Sequence, residues 1–230
     1  MDLRTLAEEV LEANLALVRH GLVTLTWGNV SGIDRERGVV GIKPSGVAYE
    51  RLTVDDIVLV DLDSGSSSGS RRPSTDTPTH LALYRAFTML GGVAHTHSTW
   101  ATAWAQAPRE IPLLGTTHAD LSAYPIPLTR PLGEQEVASD YEGATGTVLV
   151  QAVAGRDPLQ VPCALVRGHA PFCWGESAAA AVQNAVTLEE VARMALLTTV
   201  LEPGVAPLHA AVRDKHHERK HGPDAYYGQR

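Results

Sequence analysis

The residues best suited to chemistry in this chain are histidines, and ten of them occur in 230 residues. His95 and His97 stand two apart in a short run, Val93 to His97, whose composition predicts a β-strand. Side chains at i and i+2 of a strand share a face, so two imidazoles side by side there are able to grip one cation. Alone, such a pair is a weak signal, because strand histidines often only face solvent. Two further donors stand elsewhere. Asp76 precedes Thr77-Pro78, a good helix start, where a lone carboxylate reads as a helix-capping group. His169 lies in the turn Gly168-His169-Ala170-Pro171, where alone it reads as a residue bonding its own loop. Three histidines and one carboxylate make a common zinc set, at about 2.0–2.2 Å per ligand. Manganese and cobalt are compatible with the same donors. Spacing alone does not bring Asp76 or His169 to the pair.

Three turns are candidates for binding an anion: Trp27-Gly28-Asn29, Lys43-Pro44-Ser45-Gly46 and Pro73-Ser74-Thr75. Backbone N–H groups in such turns, with hydroxyls and a lysine, make a phosphate cradle. Neither the P-loop pattern nor the G-x-G-x-x-G fingerprint is present, and each turn alone reads as an ordinary β-turn.

Several elements must position these groups. Residues 3–20 predict an amphipathic helix, with Leu3, Leu6, Ala7, Val10, Leu11, Leu17 and Val18 on one face and Asn14 as its polar exception. β-like runs follow at 23–27, 39–43 and 57–61. The Gly/Ser-rich stretch 63–75 reads as a surface loop or hairpin tip, because motifs on both sides of it belong together. Helices are expected over 78–90, 98–106 and 133–142, strands over 147–153 and 163–166, a long alanine-rich helix over 177–201, and a last helix over 207–221. Interleaved helices and strands indicate α/β architecture, with helices against a central sheet.

Composition narrows the classes. Hydrophobic residues make up 44% and charged residues 20%, ordinary for a folded domain. The length suits a single domain over 1–230. The net charge of −7 argues against a nucleic-acid partner. No apolar run is long enough to span a membrane. The first residues, MDLRTLAEEV, carry acids where a signal peptide needs an apolar core, so a cytoplasmic location is expected, with Cys163 and Cys173 as reduced, buried thiols.

Longer strings carry a resemblance. LEANLALVRHGLVTLTWGNVSGIDRERG, IKPSGVAYE, PSTDTPTHLALY, AHTHSTWATAWAQA, IPLLGTTHAD, HAPFCWG, LEEVARMA and DKHHERKHGPDAYYGQ resemble the class II aldolase/adducin-like family across essentially the whole chain. The metal motif is shared by the superfamily. TWGNVS, GTTHAD and AYYGQ are narrower, and resemble the family's sugar-phosphate epimerases more than its aldolases. The resemblance implies a single three-layer domain with a central, mostly antiparallel β-sheet and helices on both faces. It implies zinc at His95, His97 and His169, with Asp76 completing or flanking the set. It implies a substrate site built by Gly28, Asn29, Ser45, Gly46, Ser74 and Thr75, with Lys43 nearby. Asp120 and Tyr227 would be the two acid/base groups. The tail 207–230 would reach a neighbouring subunit's site in a homotetramer, with His216 and Arg219 lining that shared site.

The reaction so implied interconverts L-ribulose 5-phosphate and D-xylulose 5-phosphate, as in arabinose-type pentose catabolism. The hydrogen on C4 is β to the C2 ketone, so removing it gains no enolate resonance. Retro-aldol cleavage of C3–C4, rotation of the aldehyde and re-addition inverts C4 instead. That route needs a Lewis acid for the enediolate, a base on one face and an acid on the other. Two alternatives stay open: an aldolase that releases both fragments, and a metal-free adducin-like interaction module. One departure from the family pattern is Ala170, where relatives are expected to carry glycine. A positive φ there would strain alanine.

Overall fold

The chain opens with an amphipathic helix, α1 (Leu3–Arg19), whose first turn is capped by the Asp2 carboxylate accepting from the Arg4 N–H. Leu6, Val10 and Leu17 bury its inner stripe. The computed structural model describes residues 2–227, so residues 228–230 of the expected tail, with the Gly-Gln end of the AYYGQ string, lie outside the described residues. Seven strands follow in that range: β1 (Asn29–Asp34), β2 (Val39–Ile42), β3 (Val58–Asp61), β4 (Ser67–Ser68), β5 (Gly92–His95), β6 (Cys163–Leu165) and β7 (Pro171–Gly175). They form one sheet in the order β4-β3-β2-β1-β5-β7-β6, antiparallel at every neighbouring pair. The other helices are α2 (Thr77–Ala86), α3 (Thr99–Gln106), α4 (Thr116–Leu121), α5 (Glu134–Ala152), α6 (Ala178–Leu201) and α7 (Ala210–His221).

Period-two alternation assigns the faces. Val30, Ala94, Cys163 and Cys173 join the core under α1, α3 and α6. Ile33, Val93, Phe172 and Trp174 join the opposite core under α2 and α5. The expected three layers, helices on both faces of an antiparallel sheet, are therefore present. Two devices hold them at close range. Buried Asn14 accepts from the Val30 N–H and donates to the Val10 and Val30 carbonyls, tying α1 to the head of β1. At Gly92 a Cβ would stand 2.3 Å from the Ala178 nitrogen, so only glycine lets α6 start against β5.

Three expectations are corrected. Residues 23–27 are turns, because Leu25 (φ 55°) and Gly28 (φ 76°) take left-handed backbone that ends any extended run. Residues 147–153 are not a strand. They continue α5, whose helical path breaks only at Asp140 (φ −159°, ψ 73°). Packing overrides the β propensity of Thr147, Val148 and Val150: Leu149 and Val153 face the α2 core, and Gly146 lies so close to α2 that a Cβ would meet Ala82 at 2.5 Å. Asp76 occupies the N-cap of α2, but its carboxylate makes no capping bond. Strands β1 and β7 and helix α4 were not expected, since Asn29, Gly32 and Pro171 disguise the strands as turns.

Candidate metal centre and phosphate cradle

The β1–β5 register pairs Asn29 with His95, and alternation turns both toward the α2 face. There the His95 ring stacks on Phe172 with centroids 4.1 Å apart. Its Nδ1 lies 2.9 Å from the Pro171 carbonyl oxygen. A carbonyl only accepts, so Nδ1 carries the hydrogen and Nε2 offers a lone pair. Nε2 of His97, just beyond the strand, stands 3.1 Å from that atom, and Nε2 of His169 stands 3.2 Å from Nε2 of His97. One donor atom from each ring lies within 4.8 Å of the others, so these three residues could hold a metal ion. Tetrahedral zinc with bonds of about 2.0–2.1 Å wants donor atoms about 3.3 Å apart, and the donor set fits that chemistry. Burial pushes His95 down to about 3, against the pull of Asp76, and lowers His97 and His169 as well. Neutral imidazoles are the form that ligates.

Asp76 flanks this cluster. Among the described residues, the group whose donors converge is the histidine triad alone. The Asp76 Oδ2 accepts from Asn29 Nδ2 at 2.6 Å. Burial pushes its carboxyl up, but the His95 and His80 imidazoles and the Asn29 amide more than reverse this, leaving it below the usual carboxylate range. The His169 turn takes its positive φ at Gly168 (74°), so Ala170 sits there without left-handed strain.

The cradle residues lie beside the triad. Gly28, Asn29, Lys43, Ser45, Gly46, Ser74 and Thr75 line one cleft of about 570 Å³ together with Asp76, His95, His97 and His169. A short antiparallel bridge joins two turns far apart in sequence: Ser45 N–H donates to the Arg72 carbonyl and Ser74 N–H to the Lys43 carbonyl. Tyr49 O–H reaches the Trp27 and Gly28 carbonyls at 3.0 and 2.8 Å, fixing the third turn. At Gly28 a Cβ would stand 2.9 Å from the His95 carbonyl oxygen. The Lys43 ammonium is almost wholly buried, 4.7 Å above the Tyr49 ring, and burial lowers its pKa. Among the described residues, Asn29 Oδ1 is buried without a hydrogen-bond partner.

Asp120, His216, Arg219 and Tyr227 are brought together, but not with the triad: none of them lines the cleft. Asp120 on α4 accepts from Arg219 Nη2 at 2.7 Å and Nε at 3.2 Å, with His216 Nδ1 also at 3.2 Å. Burial pushes its carboxyl up, and Arg219, Lys220 and His216 outweigh that and hold it low. The exposed Tyr227 ring lies 4.9 Å from the Arg219 guanidinium. The sequence reading missed Thr26, Trp27, Tyr141 and Glu142 as cleft-lining residues. Trp27 stood within a flagged turn. Nothing local marked Tyr141, whose hydroxyl lies 3.0 Å from His169 Nδ1.

This site on this sheet matches a known class. The sequence profile described as Class II Aldolase and Adducin N-terminal domain matches residues 8–196. The chain belongs to the class II aldolase/adducin family. L-ribulose-5-phosphate 4-epimerase UlaF of Salmonella paratyphi A is 55% identical to it over 228 residues, covering 99% of this chain and 100% of that protein. Among solved structures, an L-fuculose 1-phosphate aldolase superposes with a TM-score of 0.80 at 21% identity, covering 94% of this chain and 95% of that one. The l-fuculose-1-phosphate aldolase of Thermus thermophilus does so with a TM-score of 0.67 at 24% identity, covering 90% and 100%. At such identities the structural likeness speaks for the fold alone.

Proposed function

We propose that this chain is an L-ribulose-5-phosphate 4-epimerase, inverting C4 by cleavage and re-formation of C3–C4. The carrying observation is the full-length 55% identity to UlaF of Salmonella paratyphi A, and the cleft chemistry supports it. His95, His97 and His169 would hold a divalent ion, zinc by preference with manganese or cobalt as substitutes, and Asp76 flanks them. When bound, that ion supplies Lewis-acid stabilisation of the charge that develops on the ketone-side fragment.

The chain's own groups account for the other steps. Lys43, Ser45, Gly46, Ser74 and Thr75 anchor the phosphate and keep the aldehyde fragment in place while it turns. The Asn29 Oδ1 accepts a substrate hydroxyl. Asp120, kept ionised by Arg219, takes or returns the C4 hydroxyl proton on one face, and Tyr227 serves the other. His216 and Arg219 orient that pair. Because Asp120 and Tyr227 lie outside this chain's own cleft, we place them in the cleft of a neighbouring subunit, within a homotetramer acting in the cytoplasm. Among the described residues, no helix is long and apolar enough to cross a membrane.

The test is proton NMR of the purified protein with L-ribulose 5-phosphate, with and without a strong chelator. Chelator-sensitive formation of D-xylulose 5-phosphate is expected. Accumulation of the two cleavage fragments without the epimer would assign an aldolase instead. An unchanged spectrum would overturn the enzymatic reading.

A further inference from the structure

The break in α5 has a use that the cleavage chemistry does not require. At Asp140 the backbone leaves the helical region, and the helix resumes at Tyr141. Two side-chain bonds fasten the restart. Thr79 Oγ1 of α2 donates to the Glu142 carbonyl at 2.6 Å, and Thr145 Oγ1 donates to the Tyr141 carbonyl at 2.8 Å. Gly146 sets the spacing to α2 one turn later. Tyr141 is therefore delivered to the cleft from a rigid corner, and not from a mobile loop. Its ring lies over that of His169, 22° from parallel, and its hydroxyl meets His169 Nδ1 at 3.0 Å.

The two nitrogens of a neutral imidazole are inequivalent, and the partner of one decides what the other does. His95 has its tautomer fixed by a carbonyl, which only accepts. His169 sits in an exposed turn and has the Tyr141 hydroxyl in that position instead. We propose that Tyr141 is a positioning residue for His169: its oxygen accepts the Nδ1–H and so holds the Nε2 lone pair toward Nε2 of His97. This rests on reading the triad as a metal centre. Outer partners of ligating histidines typically govern about 10–100-fold in metal affinity.

The experiment is a zinc titration of the metal-stripped full-length protein against a competing chelator, comparing the natural chain with Tyr141→Phe. A Kd weakened by about 10–100-fold is expected in the variant, with an unchanged far-ultraviolet circular dichroism spectrum. A Kd within about twofold of the natural chain would overturn the assignment. Zinc failing to bind the natural chain at all would instead overturn the metal-centre reading on which it rests, so the two failures are told apart. A second measurement does not depend on the variant folding. Long-range proton–nitrogen correlation of the metal-stripped natural chain, in which no ion fixes the tautomer, should show His169 as the Nδ1–H form. An Nε2–H signal there would sink the proposal.

Discussion

Lys43 shows most directly how one residue is placed for a task. A buried ammonium costs stability unless a partner repays it, and here its contacts are two carbonyl oxygens at 3.4 and 3.5 Å and the face of Tyr49. Such a poorly repaid cation suits an anionic ligand. Lys43→Met should raise KM for L-ribulose 5-phosphate by about 10–100-fold, the worth of a charge-assisted hydrogen bond, while the urea midpoint stays level or rises. A variant with unaltered KM would remove Lys43 from the cradle. At this scale the sequence flagged candidates wherever residue type implied chemistry, and the triad, the hydroxyls of 74 and 75 and Lys43 all line the cleft. The place of Asp76 was not legible. Alone before a helix it read as a cap, whereas Asn29 Nδ2 donates to its Oδ2, a contact that depends on a β1–β5 register no local pattern encodes. Tyr141 was hidden for the same reason, since its partner is 28 residues away.

At the level of elements, close approach governs the outcome. Gly92→Ala would force a Cβ to within 2.4 Å of the Ala178 Cα. Overpacking of this kind costs about 1–3 kcal/mol or more, so the urea midpoint should fall, and activity with it, because β5 carries His95. An unshifted midpoint would show that α6 yields freely. The elements legible beforehand were those with strong periodicity or clear stops, such as α1, α6 and the Thr-Pro start of α2. Helix α5 was misread because its two halves differ in character. The first is acidic and exposed, and the second is β-branched and buried. Only its packing on α2 makes them one helix.

For the whole molecule, buried histidines make acid destabilising, and two of them lie outside the triad. Burial pushes His80 and His118 down to about 4, with Asp76 opposing this at His80 and backbone carbonyls opposing it at His118. The unfolded chain, with histidine near ~6.5, binds more protons than the folded one between those values. Stability is therefore full above about pH 6.5, declines as pH falls toward about 4, and loses nothing further from these groups below that. Each contributes about 3 kcal/mol to the decline. Urea melts at pH 7.5, 5.5 and 4.5 should show it, and equal midpoints would refute it. The placement of Asp120 and Tyr227 away from the cleft gives a second expectation at this scale. His97→Ala and Tyr227→Phe chains, each inactive alone, should regain activity when unfolded and refolded together, at roughly a quarter of the sites in a randomly mixed closed ring. A mixture as inactive as its components would mean that each chain is self-sufficient. The fold class was visible from the resemblance, as was a tail directed at a neighbouring subunit, whereas the grouping of Asp120 with that tail and apart from the cleft needed three dimensions.

The pairing of Asn29 with His95 has one more consequence, for descent. A sheet slipped by one residue turns every side chain of the slipped strand to its other face. Losing one residue from β1 or β5 would therefore part the Gly28–Asn29 turn from the imidazoles in a single event. The serine-rich hairpin around β4 carries no such obligation, being exposed and remote from both. Lineages of this chain should record that difference as length: the hairpin free to grow and shrink, and the span from Asn29 to Asp34 inherited at constant length.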